Sequence, residues 1–423
     1  MRGKKDKEVK RPRIGLIGCG IRGASLMYVM KKVAPNAVIA GIADFDKARA
    51  LHRLRKLEGV QLDKIPFFVS DDALLENADN FDGLIIATRC HQHTNMAVKA
   101  ARTGLPLYLE KPVAVNRAQL AALAKAYRGR EDQVVVSFPL RLTPVFLKAR
   151  EIIQSGLLGP VNQIQAINNV TYGGHYYGGH YRNYDESGGL WLQKATHDFD
   201  YINELMNMRP EWMAAMSTRK IFGGDKPHNL RCSKCKETKT CMESPRNVVG
   251  KRGGDYGGGN WDDGTADHLC MFSRDIRNQD AGSALIQYAD GTHASYDQEF
   301  VTRHSSWRRG AIITGYSGTL EFSFDGALRI DRHHSTRKER KLTITAKGSH
   351  GGGDEVLMRN FLEVACGKAS SRSPLTAGIL SAAMALAARE SAARRKFVKI
   401  TLPPAASWPY PKQAFKIRSC EPV

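Results

Sequence analysis

Two short stretches of the chain carry side chains suited to moving protons. LPLYLEKPV ends an apolar run on Glu110, Lys111 and Pro112. GGLWLQKATHDFDYINELM, from Gly188 to Met206, has the apolar spacing of a helix, yet it also carries Gln193, Lys194, His197, Asp198 and Asp200. Residues three or four apart share a helix face, because a turn takes about 3.6 residues. Gln193, Lys194, His197, Asp200 and Tyr201 are therefore expected on or near one stripe. An unperturbed imidazole titrates at about 6.5 and exchanges a proton near neutrality, which makes His197 the best candidate base. Asp200, one turn on, is placed to orient its ring. Lys111 suits a developing negative charge and can relay a proton if burial lowers its pKa. The plain alternatives are a hydrogen-bonded helix histidine and a lysine in a surface turn.

The elements that must position these groups begin at Pro12. RIGLIG reads as a buried strand, GASLMYVMKKVA has helical spacing, and AVIAGIAD, DGLIIAT, LPLYLE and QVVVSF are further strands with helical segments between them. Strands alternating with helices mean a parallel sheet. At the first strand–helix turn stands the run Gly18, Cys19, Gly20, Ile21, Arg22, Gly23. The first glycine permits the tight turn, the second lets backbone approach a pyrophosphate, and the third lets helix and strand pack closely. Asp44 follows 21 residues after Gly23, at the end of the second strand. A carboxylate there binds a ribose 2′-hydroxyl and repels a 2′-phosphate, so NAD is expected over NADP, against the nearby Arg49 and Arg53.

Together with the Glu110-Lys111-Pro112 turn, this pattern resembles the Gfo/Idh/MocA oxidoreductase family over nearly the whole chain. Ala87-Thr88-Arg89 with His93 is similar to the family's A-T-P…H loop, with Arg89 in place of proline. Arg141 and Pro144 resemble its R-x-x-P element, and His197 and Asp200 fall on the His and second Asp of its G-G-G-x-x-x-D-x-G-x-H-x-x-D helix. Gln193 stands where most members carry Asp, and glutamine is no proton acceptor of useful basicity. With Lys194 it is similar to a branch that writes E-K-x-x-H-D-x-D. The resemblance implies an α/β fold, with an N-terminal Rossmann doubly wound parallel sheet and a C-terminal α+β domain built on a large, mostly antiparallel sheet. It implies a cofactor site of the glycine turn with Asp44, Thr88, His93, Glu110, Lys111 and Arg141. Lys111, His197 and Lys194 become the catalytic candidates, and Lys111, Tyr172, Gln193, Lys194 and His197 the substrate contacts. It further implies a cis bond before Pro112, pairing of copies into a dimer or tetramer, and a carbohydrate substrate, an anionic one included.

Residues 1–11 form a basic tail, 12–140 the nucleotide domain, 141–400 the second domain and 401–423 a C-terminal tail. VNQIQAINNVTY reads as a strand, and Asp290-Gly291 and Asp325-Gly326 lie between alternating runs as hairpin signals. Thr171–Tyr184 holds five tyrosines and two histidines, which either stack on sugar faces or pack. Asp354 reads as a helix N-cap, with His350 near enough to reach the cleft. Cys232, Cys235 and Cys241, within a Gly-rich insertion at 222–267, are candidate ligands of a structural zinc with His228, His268 or Cys270 as the fourth.

Lys and Arg number 63 against 42 Asp and Glu, a net charge of +21. The first thirteen residues and RHHSTRKERK, from Arg332 to Lys341, are the dense patches, more often solvated than functional. No nucleic-acid module and no apolar run of about 18 residues is present, and a cytoplasmic protein is expected. Oxidation of a secondary alcohol by NAD is the leading function. A redox-neutral NAD-dependent glycosidase and a non-catalytic nucleotide sensor are the alternatives.

Overall fold

The computed structural model describes residues 11–248, 267–336, 339–345 and 347–412. Nearly all of the basic tail, most of the Gly-rich stretch before Asp267, and residues 413–423 lie outside them. The first sheet has six strands: β1 (Arg13–Ile17), β2 (Val38–Ala43), β3 (Phe67–Phe68), β4 (Gly83–Ile86), β5 (Leu107–Leu109) and β6 (Val134–Val136). Their order is β3-β2-β1-β4-β5-β6, parallel throughout. β4, β5 and β6 are buried along their whole length. Such unbroken apolar runs are what a sheet covered on both faces requires. Leu107 and Leu109 pack in one core with Leu120 and Leu123, while Tyr108 points to the other with Leu26, Met30 and Phe361. The strand order reverses between β1 and β4, the crevice where open α/β sheets bind ligands.

The second sheet has nine strands: β7 (Val161–Asn169), β8 (Pro210–Thr218), β9 (Ala281–Tyr288), β10 (His293–Glu299), β11 (Arg308–Gly315), β12 (Gly318–Ser323), β13 (Ala327–Arg332), β14 (Glu339–Thr343) and β15 (Val398–Lys399). All neighbours are antiparallel except β7 and β10. Both hairpins form where the Asp-Gly pairs stand, with Gly291 and Gly326 at φ 91° and 105°. Burial alternates along β9. One face carries the helices Thr196–Met206 and Leu375–Arg394, and the other leaves Ile167, Trp212, Met216, Leu285 and Ile312 exposed. The charged stretch after Arg332 includes β14, an edge strand, where Arg340 and Lys341 deter pairing with another chain.

The helix Gly353–Ala365, expected with the second domain, packs instead on the first sheet. Its Phe361 ring lies 5.7 Å from Tyr108. Among the described residues no helix is long and apolar enough to cross a membrane.

Candidate active site

The glycine turn fits a dinucleotide. Gly18 has φ 89°, and a Cβ there would sit 2.6 Å from Thr88 Cγ2 and 2.9 Å from the Ala87 oxygen. A Cβ on Gly23 would drive into the Gly18 carbonyl. A Cβ on Gly20 would meet nothing within 4 Å, and the helix Ile21–Val33 that follows has no side-chain cap and no acid in its first turn. Backbone is thus open to a pyrophosphate at the positive end of a helix. Cys19 is buried, its thiol pushed up to about 12 by burial, and its N–H donates to Asp44 Oδ2 at 2.7 Å. Asp44 Oδ1 accepts from Asp46 N at 3.0 Å. A carboxylate has about four lone-pair sites, so capacity remains on Asp44 for ribose hydroxyls.

Arg22 ties this turn to the rest of the crevice. Its Nε donates to Glu110 Oε1 at 2.6 Å, Nη1 and Nη2 to Asp354 at 3.0 and 2.7 Å, and Nη2 also to Ser137 at 3.1 Å. Burial alone would raise the Glu110 carboxyl, and Arg22 outweighs it and holds it down. Asp354 is therefore not the expected N-cap: Gly352 holds that position, and the Asp354 carboxylate grips Arg22 from within the first turn. His350 follows it into the cleft, with Nδ1 2.8 Å from Asp354 Oδ2 and its ring 6.3 Å from that of His197. Its φ of 47°, beside Gly351 and Gly352 at 60° and 85°, makes the reversal that brings it there.

Lys111 stands at the C-terminal end of β5 on a cis bond to Pro112, as the resemblance implied. His93 holds that turn, with Nδ1 2.9 Å from the Pro112 oxygen and Nε2 3.1 Å from the Thr88 oxygen. His93, expected at the cofactor, has each ring nitrogen against a backbone carbonyl, its single N–H in the neutral form donating to one of them, so that it lies between the two strand-end turns. Burial lowers its pKa against the pull of those carbonyls. Lys111 Nζ reaches across to the Gln193 carbonyl at 2.6 Å. Burial lowers its pKa to about 8, with Cys90 and Glu110 pulling the other way and Lys194 assisting.

The helical stripe expected from Gln193 to Tyr201 is broken. Trp191–Ala195 winds as a π turn before the α-helix Thr196–Met206 begins. Such turns re-aim side chains inside helices and recur at functional sites. The Gln193 carbonyl meets Lys111, with Lys194 and His197 within electrostatic reach of its ammonium, whereas Tyr201 turns to the sheet and bonds the Gly310 oxygen at 3.3 Å. Asp200 does not orient His197. Both its oxygens accept from Arg141, at 2.9 and 2.8 Å. Arg141 in turn reaches Glu204, the Arg372 oxygen and Tyr410. Expected among the cofactor contacts, Arg141 is instead a buried clamp at the junction of the two halves. His197 is left with Nδ1 buried and without a hydrogen-bond partner among the described residues, packed edge-on to Phe138 at 5.7 Å. Burial first, then Lys111, Arg309, His350 and Lys194, drive its pKa well below the usual value, so it is neutral at pH 7.

Lys194 Nζ donates to the Tyr172 hydroxyl and stands 4.7 Å from that ring's centroid. Beyond the site, Tyr176 and Tyr177 pack, the latter stacked on Phe222 at 4.0 Å, so the tyrosine-rich loop divides between site and core. Arg309 was not among the expected site residues, and Tyr181, which interacts with the Gln193 side chain, was expected only as one tyrosine of the Thr171–Tyr184 stretch. Arg309 sits in β11, an ordinary strand with no motif around it. A structural zinc finds no support. Among the described residues no three His, Cys, Asp or Glu are placed to hold a metal ion. The segment is held by backbone instead, with Cys232 N on the His268 oxygen at 3.0 Å and Cys270 N on the Leu230 oxygen at 2.7 Å.

Residues 12–138 match the oxidoreductase family with an NAD-binding Rossmann fold, and residues 146–321 match the GFO/IDH/MocA C-terminal domain. The chain belongs to the Gfo/Idh/MocA family of oxidoreductases. It is 25% identical over 385 residues to YteT of Bacillus subtilis, covering 82% of this chain and 88% of that protein. It is 29% identical to inositol 2-dehydrogenase 2 of Saccharopolyspora erythraea over 161 residues, which are 38% of this chain and 46% of that one. Its fold matches levoglucosan dehydrogenase in complex with NADH and levoglucosan, with a TM-score of 0.72 at 16% identity, over 92% of this chain and 100% of that one.

Proposed function

We propose that the protein transfers hydride between NAD and a secondary alcohol or ketone of a sugar, glycoside or polyol, with Lys111 and His197 handling the proton. The observation that carries this is one convergence. The Lys111 ammonium meets the π turn just ahead of His197, at the strand ends that also bear the open glycine turn. The named activities of the inositol and levoglucosan dehydrogenases support the substrate class.

When bound, NAD supplies the hydride acceptor. The glycine turn would hold its pyrophosphate and Asp44 its ribose, where a carboxylate disfavours the 2′-phosphate of NADP. Lys111, with a pKa of about 8, is neutral in about a tenth of molecules at pH 7 and takes the hydroxyl proton. Once protonated it stabilises alkoxide character and returns the proton in the reductive direction. His197 is held neutral, and its unpartnered Nδ1 offers one hydrogen bond to a substrate hydroxyl. Base strength thus sits on Lys111 more than on His197, because the cations around the imidazole suppress its protonation.

The test is a panel of sugars, inositols, uronates and glycosides with NAD, following reduced-nicotinamide absorbance and aglycone release together. NADH equal to oxidised product is expected. Aglycone without NADH would establish the redox-neutral glycosidase, and neither signal with any compound would leave the sensor.

A further inference from the structure

Two ammonium groups, Lys194 buried and Lys111 half-buried, share this site with no carboxylate paired to either among the described residues. Lys111 donates to a neutral carbonyl and Lys194 to a phenol. The acids nearby are committed elsewhere. Glu110 and Asp354 hold Arg22, Asp200 holds Arg141, and Gln193 is uncharged. A third cation, Arg309, gives Nε to Asp198 at 2.9 Å, and the other Asp198 oxygen is filled by Asn168 and Tyr296 at 2.8 and 2.9 Å. That leaves Arg309 Nη2 buried and without a hydrogen-bond partner among the described residues, in a residue only 8% exposed. A buried donor without an acceptor and buried charge without a partner are both costly, and such groups are kept where a ligand completes them. The net charge of +21 favours the approach of an anionic ligand.

We propose that the substrate is an anionic sugar, its carboxylate or phosphate received by Lys194 and Arg309 beside the Tyr172 hydroxyl. This rests on the oxidoreductase reading and narrows its substrate class. Arg offers planar paired donors and Lys a point charge, the usual couple for an oxyanion. The Tyr172 hydroxyl accepts from Lys194, its phenol is lowered to about 8 by Lys194 and Arg309 against the effect of burial, and its own proton is a further donor.

The experiment compares matched substrates differing in one group. kcat/KM is measured with NAD for glucose, glucuronate and glucose 6-phosphate, and for galactose and galacturonate. An anionic member should exceed its neutral partner by about tenfold or more, and the winning arm distinguishes carboxylate from phosphate. Lys194→Gln and Arg309→Gln should each remove most of that advantage through KM, and Lys194→Arg should restore part of it. If Arg309→Gln does not fold, the Lys194 pair decides. Thermal shifts of the NADH-loaded protein with glucuronate against glucose read the site without turnover. Neutral sugars oxidised as well as anionic ones overturn the anion site and leave the oxidoreductase standing. A shift with glucuronate alone and no NADH from any compound keeps the anion site and removes the oxidoreductase. No turnover and no shift overturn both.

Discussion

Replacing Gly20 and Gly23 separately with alanine should split cofactor binding from folding. The added methyl at Gly23 strikes the Gly18 carbonyl and comes within 3.1 Å of its carbon, both backbone atoms of a turn already at φ 89°. Overpacking costs about 1–3 kcal/mol, and the upper end applies because a backbone carbonyl cannot swing aside. Alanine regains roughly 1 kcal/mol as the better helix former, leaving a net loss of about 2 kcal/mol and a melting point lower by roughly 5 °C. At Gly20 the methyl meets nothing and the backbone, at φ −66°, accepts it. Loss of a good N-cap and reduced unfolded-state freedom nearly cancel, so stability should hold within about 1 kcal/mol. That methyl occupies the side from which a pyrophosphate approaches, and NADH affinity should fall by roughly 10–100-fold, or about 1.4–2.8 kcal/mol. Thermal melts and NADH fluorescence titration measure both. A Gly20→Ala protein that binds NADH like the parent, or a Gly23→Ala protein as stable as the parent, would refute the phosphate-cradle account.

Asp354→Asn removes a fully buried carboxylate from Arg22, itself 27% exposed, and should cost about 3 kcal/mol in denaturant unfolding, the low end for a broken buried pair. Because Arg22 and His350 hold the Asp354 pKa below its usual value despite burial, that contribution is present above about pH 4 and is lost as acid protonates the carboxylate. A stability unchanged by the substitution would remove the strap. Asp200→Asn should likewise destabilise by about 3 kcal/mol through Arg141, yet leave kcat/KM of the folded protein within about threefold. A loss of a hundredfold or more would restore Asp200 as the residue orienting His197.

The parallel sheet and both hairpins were legible because they rest on local pattern: apolar runs, the glycine turn and Asp-Gly pairs. The Glu110-Lys111-Pro112 turn at the end of β5 was legible for the same reason. The helix face was not. A 3.6-residue period placed Asp200 beside His197, but one π turn ahead of Thr196 and the pull of Arg141 separated them. Arg309 and the Asp354–Arg22 pair join residues 111 and 332 positions apart, a distance across which spacing says nothing. The cysteine triplet misled because its spacing suits a metal, while backbone hydrogen bonds and ion pairs such as Arg303–Glu243 and Arg231–Asp267 hold the described segment.

The most direct test of the central claim is the pH dependence of kcat/KM for alcohol oxidation, in the parent and in Lys111→Met. With Lys111 as the proton acceptor, the parent should rise about tenfold per pH unit and level off above pH about 8. Lys111→Met should lose about 10²–10⁴-fold and the limb with it. A parent profile flat from pH 6 to 10, or a Lys111→Met enzyme that keeps both rate and limb, would contradict it.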